Sequence, residues 1–121
     1  MYNSAKIARQ NLSNHPTFKV GVYLETNSYG VSAGNIGHTN SMLTMCAERM
    51  ALMIAKGDKL VPMHLHLVSD NLDPTFPCGV CRQYMSEYPS LKVTVYSADG
   101  KKKFTKTSKQ LLPNPYQRGR M

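Results

Sequence analysis

All three cysteines of this 121-residue chain fall in two short stretches, Cys46-Ala47-Glu48 and Pro77-Cys78-Gly79-Val80-Cys81. A C-x-x-C pair at a helix start can set two thiolates on one ion at about 2.3 Å, and a third thiolate from another helix completes three corners of a tetrahedron. Three protein ligands with the fourth position open is the catalytic pattern for zinc, in which the ion lowers the pKa of bound water to about 7. Helix N-termini suit such thiolates, because their free N–H groups and positive dipole end stabilise negative sulfur. Three thiolates on Zn²⁺ still leave a net negative charge, and Arg49 and Arg82, beside the two cysteine stretches, are placed to draw it off. Glu48 lies two residues from Cys46 and is poorly placed to bind the same ion; its carboxylate instead reaches a bound water and a substrate above it, the position of a proton shuttle. The competing readings are a closed structural site with His38, His64 or His66 as fourth ligand, or buried thiols without metal. The C-x-x-C spacing and the adjacent acid favour the catalytic site.

The elements that must position these residues follow from periodicity. Ala5, Ile7, Ala8 and Leu12 give a short helical pattern that Ser13-Asn14-His15-Pro16 should end. Residues 19–24 and 29–34 read as the two strands of a hairpin. From Cys46 onward Ala47, Met50, Ala51, Ile54 and Ala55 recur at helical spacing, with Glu48 in the first turn and Gly57 where a C-terminal cap belongs. Residues 60–68 alternate like a strand with one buried face, 79–87 read as a short helix, and 91–97 as another strand. Asp99-Gly100 signals a turn, and residues 104–107 suit an exposed edge strand whose flanking lysines blunt aggregation. Strand-helix-strand-helix-strand order after residue 46 predicts an α/β fold, a five-stranded mixed sheet layered between helices.

Hydrophobic residues at 41% and charged residues at 18% are ordinary globular composition, and 121 residues suit a single domain, 1–121. The longest apolar run, Met50 to Ala55, is six residues, and the first residues lack the apolar stretch of a signal peptide, so the expectation is a cytoplasmic protein without a membrane span. An odd number of cysteines argues in the same direction, against a disulfide scaffold. The net charge of +8 is uneven: residues 1–100 hold eight Lys/Arg against seven Asp/Glu, whereas 101–121 hold seven Lys/Arg and no acid. Lacking interleaved aromatics, this basic segment reads as a solvated rim or subunit contact, with nucleic acid not the expected partner. A nucleic-acid module that uses its zinc structurally is the alternative from another class, and Glu48 beside three ligands argues against it.

Cys46-Ala47-Glu48-Arg49 and Pro77-Cys78-Gly79-Val80-Cys81-Arg82-Gln83 resemble the zinc signature of the cytidine deaminase family. Phe18-Lys19-Val20-Gly21 is similar to that family's opening strand, Gly34-Asn35-Ile36 to a shortened form of its sugar-binding region, and Leu111-Leu112-Pro113-Asn114-Pro115-Tyr116 to its C-terminal segment. A cysteine before Ala47-Glu48 resembles the small free-nucleoside, three-cysteine branch, which includes enzymes like blasticidin S deaminase. The resemblance implies a three-layer α/β/α fold, one Zn²⁺ per subunit on Cys46, Cys78 and Cys81, and hydrolysis of cytidine or deoxycytidine to uridine or deoxyuridine with loss of ammonia, in pyrimidine salvage. It implies that a zinc-activated water attacks C4 of cytosine while Glu48 protonates N3 and then passes a proton to the leaving amino group. Phe18 would pack on the base, Asn35 hydrogen-bond the sugar, Ala47 contact the substrate, and Gln83 join Arg49 and Arg82 behind the ligands. A homotetramer is also implied, in which Tyr116 reaches an adjoining site.

The chain departs from that pattern at two places. The family has a glutamate two residues after the asparagine, gripping the ribose 3′-hydroxyl, where this sequence has Gly37; an aromatic six residues after it is here Ser41. Loss of a charge-assisted hydrogen bond costs about 1.5–3 kcal/mol. The departures therefore point to a replacement contact, His38 or Asn40, or to another substrate: a cytosine-bearing antibiotic such as blasticidin S, a modified cytidine, or another small aminated heterocycle. His38 is also a candidate inter-subunit contact. His64 and His66 share one strand face and read as helix-packing or subunit-contact residues in preference to ligands.

Overall fold

The computed structural model of the chain describes residues 1–117. Arg118 and Arg120, the last two basic residues of the 101–121 segment, lie outside the described residues. In order come α1 (Tyr2–Asn11), β1 (Val20–Thr26), β2 (Val31–Gly34), a 3-10 turn (Ser41–Leu43), α2 (Ala47–Gly57), β3 (Pro62–Ser69), α3 (Gly79–Met85), β4 (Lys92–Tyr96), β5 (Lys103–Thr107) and α4 (Ser108–Leu111). The strands form one sheet in the order β2-β1-β3-β4-β5, antiparallel except for β3–β4. The expected five-stranded mixed sheet is therefore what forms, and α3 is the crossover that its one parallel pair requires.

Alternation along the inner strands builds the main core. Val22 and Leu24, Leu65 and Leu67, and Val93 and Val95 point to one face, where α2 brings Ala51, Leu52 and Ala55 and α3 brings Cys81 and Met85. The opposite face carries α1, whose Ala5 packs with Val68 and Tyr96. Two glycines set the closeness of that contact. Gly21 and Gly34 are direct cross-strand partners, and a Cβ on Gly21 would lie 2.1 Å from the Arg9 backbone nitrogen, one on Gly34 2.2 Å from that of Ser13. With the helix so close, Arg9 Nη1 donates to the Ser69 carbonyl at 2.7 Å and Tyr2 Oη to that of Ala98 at 2.8 Å.

Several sequence expectations shift. β3 is buried on both faces, not one, because α1 and Tyr96 cover the side that the histidines share; His66 is only 4% exposed. Gly57 is the last residue of α2 and not its cap. Lys59 takes the left-handed conformation instead (φ 59°), while Leu60 N–H donates to the Ala55 carbonyl and Lys59 N–H to that of Lys56, the paired bonds of a Schellman end. β1 runs on to Thr26 because β3 pairs along its other edge as far as Pro62, so the hairpin turn lies later than the composition suggested. The capping box of α4, in which Thr107 and Gln110 bond each other's backbone, sits where only the end of a strand was anticipated.

Because a Cβ at position 21 meets helix backbone and not a movable side chain, Gly21→Ala is expected to destabilise the fold by about 1–3 kcal/mol in urea unfolding. A variant as stable as the parent would show that α1 can move away freely.

Candidate active site

Cys46 and Cys78 are the N-cap residues of α2 and α3, both with extended backbone (φ/ψ −70°/143° and −67°/169°) and neither using its side chain to cap the helix. Serine or aspartate at such a position would turn its oxygen onto the first-turn N–H groups; here the sulfurs stay free to face each other. Cys81, three residues on in α3, is fully buried beneath them. Cys78 and Cys81 Sγ stand 3.5 Å apart, and all three Sγ atoms lie within 4.8 Å of one another without a disulfide. Sulfurs bound to one tetrahedral zinc at about 2.3 Å stand about 3.8 Å apart, so the donor set fits one Zn²⁺ with little adjustment.

Charge around the sulfurs is arranged for thiolate. The Cys46 thiol is lowered to about 5, chiefly by the hydrogen bond from Cys81, with Arg49 adding to the effect. That shared proton, with burial, holds Cys81 far above the ordinary thiol range. Arg49 Nη2 donates to Cys46 Sγ at 3.5 Å, and its Nε is buried without a partner. Glu48, 6% exposed, is pushed up to about 7 by burial, with the nearby Cys46 sulfur adding a smaller upward push. A carboxyl so placed is near balance between acid and base at neutral pH.

A cleft of about 260 Å³ opens over this group, with Cys46, Cys78 and Glu48 in its floor and Phe18, Asn35, His15 and Phe76 among its walls. The cysteines, Glu48, Phe18 and Asn35 named from sequence are thus brought together. Asn35 does more than line the wall. Its Oδ1 accepts from Val20 N–H at 2.9 Å and from the Ser13 hydroxyl, and its Nδ2 donates to the Phe18 carbonyl at 2.8 Å. One N–H of the amide is left for a ligand; the remainder holds the 13–20 segment in place.

Ala47, Arg82, Gln83 and Tyr116 do not line the cleft. Ala47 is fully buried in the core and offers the cleft no side-chain surface. Arg82 does not bond a sulfur; its Nε and Nη1 donate to the Pro77 and Leu111 carbonyls, bracing the turn before Cys78 against α4. Gln83 clasps the backbone of Tyr116 with two hydrogen bonds of 2.9 Å, leaving the Tyr116 ring 78% exposed. Neither His38 nor Asn40 lines the cleft, and the Asn40 side chain accepts from Met42 N–H. His15, read from sequence as part of a helix-ending turn, lines it instead. Phe76 lines it as well, and its signal in the sequence is an aromatic directly before Pro77-Cys78.

A three-thiolate metal site with a buried acid at a small cleft, on three α/β/α layers, is an arrangement suited to a metal-dependent hydrolase. Residues 1–97 match the family model described as the cytidine and deoxycytidylate deaminase zinc-binding region. The chain is 31% identical over 116 residues to a cytidine deaminase of Sporosarcina psychrophila, covering 93% of this chain and 85% of that protein. Its fold is similar to a crystal structure of cytidine deaminase from Burkholderia pseudomallei, with a TM-score of 0.86, 29% identity and 95% of each chain covered. It also resembles the cytidine deaminase of Mycobacterium leprae, with a TM-score of 0.75, 28% identity, and 94% of this chain and 95% of that one covered. The chain belongs to the cytidine and deoxycytidylate deaminase family, whose zinc-binding region accords with a three-cysteine group that fits one Zn²⁺.

Arg49→Gln is expected to weaken zinc retention about 10–100-fold in competition with a chromophoric chelator, and Arg49→Lys to recover part of it. Equal retention in all three proteins would mean that the sulfurs do not need the guanidinium.

Proposed function

We propose that the chain hydrolyses the exocyclic amine of cytidine or deoxycytidine, giving uridine or deoxyuridine and ammonia. The observation that carries this reading is the position of Glu48, a buried carboxyl in the same cleft floor as Cys46 and Cys78. Cys46, Cys78 and Cys81 would hold one Zn²⁺, which would supply an activated water as nucleophile at neutral pH. Glu48 would take one proton of the attacking water, deliver it to N3 of the base, and then carry the second from the new hydroxyl on C4 to the amino group. A C–O bond forms, the C–N bond breaks and ammonia leaves. Phe18 and Phe76 supply apolar faces for the ring, and Arg49 offsets the charge of the sulfurs.

His15 takes over the sugar contact that Gly37 cannot make. Its Nδ1 accepts from Phe18 N–H at 3.0 Å and from Thr17 N–H at 3.3 Å, which puts the ring proton on Nε2 and leaves that nitrogen as the free donor. A Cβ at position 37 would lie 3.1 Å from His15 Cδ2, so the imidazole occupies the space a longer residue there would need. This supports a nucleoside with an intact sugar over blasticidin S. The protein works as a cytoplasmic pyrimidine-salvage enzyme and as a homo-oligomer, a tetramer by preference. Support for assembly comes from Met42, Leu43, Leu72 and Val80, which are 60% or more exposed.

Ammonia release from cytidine, deoxycytidine and blasticidin S, followed in parallel with the zinc-loaded protein, tests the reading. Turnover of the nucleosides is expected, and Glu48→Ala should lower it by about 10²–10⁴-fold with zinc content unchanged; turnover of blasticidin S alone would replace the nucleoside assignment. His15→Ala should raise KM about 3–10-fold at nearly constant kcat, the value of one neutral hydrogen bond. An unchanged KM would remove His15 from the sugar contact.

A further inference from the structure

The face of the sheet turned away from the cysteines carries a second cluster of ligand-type side chains. Glu25 on β1 is the cross-strand partner of His64 on β3, and His66, two residues along, projects from the same face. Glu25 Oε2 lies 2.7 Å from His66 Nε2 and 3.5 Å from His64 Nδ1, and one donor atom from each residue falls within 4.8 Å of the other two. The two rings stack with centroids 4.0 Å apart at 23°.

The outer nitrogens are occupied as well. His66 Nδ1 is 2.9 Å from Tyr96 Oη, and His64 Nε2 is 2.7 Å from Thr94 Oγ1, itself 2.8 Å from Thr105 Oγ1. When each outer nitrogen donates to its hydroxyl, the inner nitrogen presents a lone pair on the side of Glu25. Metal-bound histidines are held in this way, the second ring nitrogen bonding an oxygen that fixes tautomer and orientation. A hydrogen-bonded Glu–His pair alone needs neither the second histidine nor the second hydroxyl.

We propose that Glu25, His64 and His66 form a second metal site for a divalent ion that favours imidazole and carboxylate, Zn²⁺ or one like it, separate from the three-cysteine centre. Two histidines and one glutamate are an established zinc donor set. The open positions face solvent through a broad cleft of about 710 Å³ that Glu25 and His64 border. Ligation needs the two stacked rings to turn toward each other so that both inner nitrogens and the carboxylate converge on one point, and β1 and β3 are already paired there. Lys92 on β4 is in register with His64, and Lys103 on β5 with Tyr96. With one carboxylate against these ammonium groups, the site binds more weakly than the thiolate centre and loses its ion first to a chelator.

Metal analysis after equilibrium dialysis of the full-length protein in Zn²⁺ buffers tests the site. The parent should hold about two equivalents per chain, Glu25→Gln and His64→Ala about one, and a Cys78→Ser, Cys81→Ser double variant should keep one. Glu25→Gln conserves volume and a hydrogen bond to His66, and circular dichroism confirms that each variant is folded. Titration with Co²⁺ gives a second readout: sulfur-to-metal absorption should saturate at the first equivalent, and the next should add only the weak bands of nitrogen and oxygen ligation. A parent that binds a single equivalent, variants that still bind two, or cobalt uptake that follows sulfur absorption throughout would each overturn the proposal.

Discussion

Three sulfurs from two separate helices must meet at one point, and the rest of the architecture is arranged around that requirement. β1 is antiparallel to β3, so Val20 at its start pairs with Ser69 at the end of β3, and Gly34 at the end of β2 pairs with Gly21. The start of β1, the end of β2 and the end of β3 therefore lie at one end of the sheet. The connections leaving β2 and β3 both enter helices, and each helix begins with a cysteine at its cap. A parallel pair places its ligand site at the carboxyl ends of its strands for the same reason. Phe18, Asn35, Cys46 and Cys78 are far apart in sequence and close in space because all four occupy junctions at this end.

Asn35 keeps those junctions together. Besides its side-chain bonds, its carbonyl accepts from Asn14 N–H and its own N–H donates to the Val20 carbonyl, both at 3.1 Å. A polar residue 7% exposed is thus satisfied mainly by the backbone of the segment that carries His15 and Phe18. The close seat of α1 on Gly21 and Gly34 fixes the other end of that segment.

Much of the chemistry was legible because it is local. The C-x-x-C spacing, the helix that follows Cys46 and the acid next to it are each readable within a few residues, and so are the strands that alternate around them. What escaped depends on partners distant in sequence. Arg82 and Gln83 adjoin a cysteine along the chain, yet besides the local bond from Arg82 to Pro77 their side chains bond Leu111 and Tyr116, about thirty residues on. The two-sided burial of β3 depends on where α1 settles, which no alternation within residues 60–68 encodes. His64 and His66 were visible as a pair, but Glu25 joins them only through the register of β1 against β3, and a slip of one residue would turn it to the opposite face. His15 was hidden differently: next to Pro16 it has the composition of a turn, and only the two backbone donors on Nδ1 reveal a ring held in one orientation.

Exchange of a carboxylate for this imidazole alters the energetics of the cleft more than its shape. A glutamate accepts from a sugar hydroxyl through a charge-assisted bond, and burying that charge beside three thiolates would add repulsion to its desolvation. In the proposed contact the His15 imidazole would donate through Nε2 to the same hydroxyl and would bring no further negative charge to a site that holds Glu48 and the sulfurs. Such a bond would be weaker by about 1 kcal/mol, and no second carboxylate would compete for Arg49. Arg49, whose Nη2 already bonds Cys46, then remains committed to the metal centre.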